Sequence, residues 1–199
     1  IFVLLSSILI IGFVGFIDDI FGWKKGLSRR SRIILVLFSA IPLMVINAGE
    51  SKMMGVELGL IYPLLVIPIG ILGATVTYNF LAGMNGLEAS QGIIILSALA
   101  IVTYITGSRW LSLVALCMIA ALAAFYIFNI YPAKVFPGDT LTYPIGALIA
   151  IIAILGNIEK IAVFFFIPYI IEFGLKCRGG LSLIHISEPT RPLYISYAV

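Results

Sequence analysis

Three polar stretches hold most of the side chains in this chain that could do chemistry. Asp18-Asp19 closes a long apolar run and leads into a basic segment with Lys24, Lys25, Arg29, Arg30 and Arg32. Asn79–Gln91 reads Asn-Phe-Leu-Ala-Gly-Met-Asn-Gly-Leu-Glu-Ala-Ser-Gln, with long apolar runs on both sides. Asn129–Thr140 carries Lys134, Phe136, Gly138 and Asp139 ahead of another run. A carboxylate such as Asp139 can hold Mg²⁺, which usually takes one or two protein oxygens plus substrate phosphates. Gly138 would let a phosphate approach the backbone closely, and Lys134 could neutralise it. The chemistry within reach is therefore the handling of phosphate groups.

Each stretch also has a plainer use. Asn79–Gln91 can be a polar turn between two membrane helices. Asp18-Asp19 can be an interfacial acidic pair neutralised by the Lys and Arg that follow. Adjacent helical residues point about 100° apart, so both carboxylates cannot readily chelate one ion from a regular helix. One could face a substrate while the other pairs with a base in 24–32. Asp139 can cap the helix that follows it, and Lys134 can be a charge that sets topology. What favours function is that all three stretches meet on one face of a membrane, as the apolar runs between them require.

Those runs decide the fold class. The 199 residues are 62% hydrophobic and only 11% charged, with a mean hydropathy of +1.19. Soluble domains hold about a quarter charged residues, so the chain reads as an integral, multi-pass membrane protein. A net charge of +3 gives no hint of nucleic-acid binding. Cys117 and Cys177 lie in contexts that suggest neither a disulfide framework nor a metal cluster. About seven runs approach the roughly 17–25 residues of a spanning helix: 1–17, 32–47, 60–80, 91–106, 110–130, 141–156 and 160–175. They are too long for strands and lack period-two alternation. The expectation is an all-α, polytopic membrane helix bundle.

Basic residues orient it. Lys24, Lys25, Arg29, Arg30 and Arg32 follow the first run, Lys134 the fifth, and Lys176 and Arg178 the seventh. The opposite loops hold Lys52, Arg109 and Lys160. The positive-inside rule puts the first set in the cytoplasm, with Asp18, Asp19, Asn79, Asn85, Glu88 and Asp139. The chain opens at Ile1 in mid-run and is expected to be an N-terminally truncated piece. Residues 181–199, with Pro189 and Pro192 and no helical pattern, are expected to be a non-native tail resembling adapter read-through. His185, the only histidine, lies in it and is not offered as catalytic.

Phe16-Ile-Asp-Asp19, Asn79–Gln91 and Asn129-Ile-Tyr-Pro-Ala-Lys-Val-Phe-Pro-Gly-Asp-Thr140 together resemble the polyprenyl-phosphate N-acetylhexosamine-1-phosphate transferases, glycosyltransferase family 4. The likeness spans about residues 1–180, which it implies are a membrane-embedded transferase domain lacking N- and C-terminal helices. The Gly-Met-Asn-Gly-Leu-Glu-Ala stretch looks most like the eukaryotic and archaeal dolichyl-phosphate GlcNAc-1-phosphotransferases; bacterial muramoyl enzymes carry aspartates where this chain has Ala82 and Asn85. By resemblance Asn79 and Asp139 match Mg²⁺ ligands, with Mn²⁺ as a substitute. Phe136 matches an aromatic that stacks on uracil, and Asn85 a uracil-contacting asparagine. Asp18-Asp19 matches the acidic pair by the reacting phosphates, and Glu88 and Lys134 join the substrate-binding set. Arg32 stands where the family usually has a phosphate-binding Lys, trading a compact ammonium for a planar fork.

The resemblance implies that a polyprenyl or dolichyl phosphate attacks the β-phosphorus of a UDP-sugar and releases UMP, as the first membrane step of a lipid-linked glycan. A phosphate monoester, with its second pKa near 6, is mostly ionised at neutral pH, so Asp18 or Asp19 need not be a strong base. Sugar choice in the family leans on a loop beyond the seventh helix, where the likeness ends, and this piece alone is expected to be inactive. A homodimer is compatible with the resemblance. Within the family, a bacterial-type undecaprenyl-phosphate GlcNAc or phospho-muramoyl-pentapeptide transferase is the alternative. Outside it, a secondary transporter would bind a coupling cation at Asp18, Asp19 and Asp139, with Asn79–Gln91 as a broken helix. That predicts midplane sites and internal repeats; no repeat is visible, and the acids sit at run ends on one side. A structural membrane subunit would leave the one-sided polar cluster unexplained.

Overall fold

The computed structural model describes residues 1–22, 27–47, 52–53, 56–80 and 84–178. Lys24, Lys25, Ala82, His185 and the whole 181–199 segment lie outside the described residues. In chain order the helices are α1 (Phe2–Gly22), α2 (Arg29–Ser39), α3 (Ile41–Ile46), α4 (Ile67–Phe80), α5 (Leu87–Ile105), α6 (Arg109–Asn129), α7 (Asp139–Leu155) and α8 (Glu159–Arg178). A π-helical stretch, Tyr62–Val66, leads into α4. The extended pairing among the described residues is a two-residue antiparallel ladder, Lys52–Met53 with Val56–Glu57. The chain is all-helical in class.

Among the described residues the seven expected runs become eight α-helices because the second breaks at Ala40. Pro42 follows at the start of α3, where a missing N–H and a fixed φ are tolerated best. Ser28 caps α2, its Oγ accepting the Ser31 N–H at 3.2 Å. The stretches Phe2–Phe21, Tyr62–Phe80, Leu87–Ile105 and Arg109–Asn129 are long and apolar enough to cross a membrane. Among the described residues four stretches meet that standard by length and composition. The second run is divided, α7 is apolar but only 17 residues long, and α8 carries Glu159, Lys160, Glu172, Lys176 and Arg178.

The buried centre of the bundle is α7, where every residue from Thr142 to Ile154 is buried. A helix apolar on all sides belongs inside, and α7 packs between α1 and α4 while also touching α5 and α8. Gly146 lets α4 come close: a Cβ there would sit 2.6 Å from the Ala74 carbonyl oxygen. Small residues at such contacts are how membrane helices approach one another. Outer positions are apolar as well, with Phe2, Leu9, Phe13, Leu113, Ile127 and Phe164 all exposed. An apolar exterior around an apolar core is the pattern of an integral membrane protein, whose outer surface lipid covers. Docking α7 against α1 and α4 brings the start of α7 beside the ends of the other two.

Candidate active site

At that end the side chains of four helices, α1, α2, α4 and α7, converge. Asp18, in the last turns of α1, is only 2% exposed. Its Oδ1 accepts the Leu27 N–H at 2.9 Å, and its Oδ2 pairs with Arg32 Nε in the first turn of α2 at 2.7 Å. Asp19 points elsewhere, as the 100° step between helical neighbours requires. Its two oxygens accept the backbone N–H groups of Asp139 at 2.9 Å and Thr140 at 2.8 Å, and Oδ2 also takes the Thr140 hydroxyl. Asp19 thus satisfies the exposed N–H groups at the start of α7 from a different helix. Asp139 does not cap α7 with its own side chain, since it is the first helical residue and Gly138 holds the cap position.

The Asp139 carboxylate is left to face the cluster. Its Oδ1 accepts Asn79 Nδ2, at the end of α4, at 2.7 Å. Asn79 Oδ1 in turn accepts the Thr142 hydroxyl at 3.1 Å. Asp18, Asp19, Arg32, Asn79 and Asp139 therefore form one site, drawn from positions up to 121 residues apart. Buried Tyr143 stands beside Arg32 and Asp139.

The remaining expected residues lie on the turn before α5, on α5 itself and on the connection between α6 and α7. Asn85 is exposed in the turn before α5. Gly86, with φ +76°, adopts the left-handed conformation that glycine tolerates, and starts the helix. Phe136 and Lys134 are exposed on the connection between α6 and α7. Asn129 joins these two loops: fully buried, its Oδ1 accepts the Gly86 N–H at 3.0 Å and its Nδ2 donates to the Val135 carbonyl at 2.8 Å. Glu88 differs from the rest. It is buried in the first turn of α5, and its carbonyl accepts the Tyr78 hydroxyl, so it lies within the bundle rather than on the open face.

Comparison with known proteins matches this chain over residues 1–157 to the glycosyl transferase family 4 model. The chain belongs to glycosyl transferase family 4. Among relatives of this family-4 chain, a Saccharolobus solfataricus protein provisionally named UDP-N-acetylglucosamine–dolichyl-phosphate N-acetylglucosaminephosphotransferase is 41% identical over 183 residues, covering 88% of the chain and 55% of the relative. The Dictyostelium discoideum protein of the same name is 30% identical, over 85% of the chain and 50% of the relative. A Streptococcus thermophilus phospho-N-acetylmuramoyl-pentapeptide-transferase is 30% identical, over 85% of the chain and 53% of the relative. The chain spans about half the length of the curated relatives it matches.

The residues of this family-4 chain that could hold Mg²⁺ are Asn79 and Asp139. Among the described residues no three His, Cys, Asp or Glu side chains form a protein-only metal cage. Mg²⁺ does not need one, because it keeps waters and substrate phosphates in its shell. Asn79 and Asp139 offer hard oxygens on facing helices. Which end of the Asn79 amide is oxygen is set by its partners. Turned over, Asn79 would aim its oxygen towards Asp139 and its NH₂ at the Thr142 hydroxyl, which can accept. Two oxygens facing each other are stable with a cation between them.

Thr140, Thr142 and Asn129 are site residues that sequence reasoning did not single out. Thr142 had a signal, lying three residues after Asp139 on the same helical face. Asn129 had one too, as a polar residue ending an apolar run. Nothing local marks Thr140 as a partner of Asp19.

Proposed function

We propose that the protein containing this chain transfers N-acetylglucosamine-1-phosphate from UDP-N-acetylglucosamine to a dolichyl or other polyprenyl phosphate. An oxygen of the lipid phosphate forms a bond to the β-phosphorus, the bond from that phosphorus to the bridging oxygen breaks, and UMP leaves. The observation that carries this reading is the convergence of Asp18, Arg32, Asn79 and Asp139 at one end of the bundle, in a chain of this family.

Phosphoryl transfer asks for positioning and charge neutralisation more than covalent help. Mg²⁺ held by Asn79 and Asp139 would neutralise charge on the diphosphate. Arg32, fixed by Asp18, presents its guanidinium as a fork for phosphate oxygens. Phe136 and Asn85, both exposed beside the site, would take the uracil by stacking and hydrogen bonding. Lys134 adds a second positive charge on the same loop. An apolar cavity of about 240 Å³ among α4, α7 and α8 reaches Thr77, two residues before Asn79. Its lining suits an alkyl segment of the acceptor lipid. We assign the site to the cytoplasmic face, where the basic loops belong, and read the full bundle as crossing the membrane about seven times over this chain.

The test uses full-length protein in detergent or lipid, supplied with UDP-N-acetylglucosamine, dolichyl phosphate and Mg²⁺. UMP should appear together with a lipid diphosphate sugar, and only when both substrates are present. Uptake of a solute or cation by vesicles without UMP release would replace the transferase with the transporter.

A further inference from the structure

We infer that Asp19 is a positioning residue: it holds the N-terminus of α7 from α1 and so aims Asp139, and it is not the proton acceptor of the reaction. The inference rests on the reading that Asp139 serves the reacting phosphates.

The geometry accounts for the whole carboxylate. One oxygen takes the Asp139 N–H, and the other takes the Thr140 N–H and hydroxyl. A helix begins with N–H groups that lack partners and a partial positive charge, and a carboxylate answers both. Gly138, at the cap position, has no side chain to do this, so the cap comes from a helix 120 residues away in sequence.

Two glycines exist in the right places for it. A Cβ on Gly138 would fall on the Asp19 carboxylate, and a Cβ on Gly15, one turn earlier on α1, would fall on the Asp139 carbonyl. The first leaves room for the carboxylate, and the second lets α1 approach α7. Gly138 therefore has a use other than admitting phosphate to the backbone. The N-terminus of α7 is already occupied by an anion, so substrate phosphates bind beside it, at Arg32 and at the Asn79–Asp139 pair. The adjacent acids divide the work: Asp18 fixes Arg32, and Asp19 fixes Asp139.

The experiment compares Asp19→Asn, Asp19→Ala and Thr140→Val in full-length protein. It reads unfolding temperature, the rise in unfolding temperature on adding Mg²⁺, and UMP release. Asn keeps one acceptor oxygen but turns an NH₂ to where Asp19 accepts a second N–H, so Asp19→Asn should weaken the cap yet keep turnover within about tenfold of wild type. Asp19→Ala should unfold at lower temperature, and its folded fraction should need more Mg²⁺ both for stabilisation and for turnover, with KM for the UDP-sugar unchanged. A purely structural loss would leave the Mg²⁺ requirement of the folded fraction where it was. Asp19→Ala and Thr140→Val should be less than additive in unfolding temperature, because they break one contact.

The inference is overturned if Asp19→Asn folds and responds to Mg²⁺ as wild type yet loses about 10²–10⁴ in rate, as a missing general base would. Additive losses would overturn it as well. If the Asp19 variants do not accumulate, Thr140→Val alone decides: a lowered unfolding temperature with a raised Mg²⁺ requirement supports the inference, and wild-type values for both refute it. Should wild type release no UMP, the transferase reading fails, while the thermal and Mg²⁺ measurements still judge Asp19.

Discussion

The two ends of α4 bury acids in different ways. In the π-helical stretch that leads into it, Tyr62 donates to Oε1 of Glu159, the first residue of α8, at 2.7 Å, and both side chains are buried. At its end, Asn79 meets Asp139 in a cluster that also contains Asp18, Asp19 and Arg32. An ionisable residue in a membrane segment is a functional suspect by default, yet only one of these ends has the makings of a reaction site. Glu159 joins two neighbouring elements beneath apolar side chains and beside an apolar cavity. The other end gathers Asp18 with Arg32, Asp19 on the start of α7, and Asp139 with Asn79, with Lys134 and Phe136 exposed close by in the chain. Burial of an acid is thus a weaker indicator than an excess of negative charge where several helices end together. Such an excess invites a cation.

Arg32→Ala should break the contrast most strongly in turnover. It removes the partner of buried Asp18 and a phosphate-facing charge together. A lost charge-stabilising contact at a reacting group is worth about 10²–10³ in rate, and UMP release should fall by that much. Stability should fall by only about 1.5 kcal/mol, near the low end for a hydrogen bond to a charged group, because the Arg32 side chain is 36% exposed and solvent screens the pair. Arg32→Lys should recover part of the rate. Equal turnover in Arg32→Ala and wild type would remove Arg32 from the site.

Tyr62→Phe should have the smallest effect on turnover. It deletes the Tyr62–Glu159 bond at the far end and should cost about 1–3 kcal/mol of stability, read from thermal or denaturant unfolding. UMP release per folded molecule should not change. A loss of rate as large as that of Arg32→Ala would mean that the far end is coupled to the reaction, and the contrast between the ends would fail.

Much of this arrangement was legible from residue types. The apolar runs gave the helices to within a few residues, and the alternation of basic loops gathered the three polar stretches at one end. One of Asp18 and Asp19 was expected to pair with a base in 24–32, and Asp18 is the one that does, with Arg32. What stayed hidden depended on contacts between distant segments. The second run looked continuous, but Pro42 permits a break that hydrophobicity does not register. Asp18-Asp19 was read as the end of a run, whereas α1 continues to Gly22 and carries both acids, because each finds polar partners on another segment. Asp139 in front of an apolar run could be read as a cap or as a metal ligand. Only the approach of α1, made possible by Gly15, brings Asp19 to that task and leaves Asp139 facing Asn79. Glu88 lies in a polar motif, but the rotation of α5 turns it inwards.

The central claim is that Asp139 and Asn79 together hold the cation that the reacting phosphates need. Asp139→Asn in full-length protein tests it most directly, with UMP release from a UDP-sugar measured across a Mg²⁺ titration. Asn keeps the size of the side chain and one oxygen but removes the charge, and Asp19 still caps α7. The account predicts a folded protein whose rate falls by about 10²–10³ or more and whose remaining activity needs more Mg²⁺ than wild type. Near-wild-type turnover at limiting Mg²⁺ would contradict it.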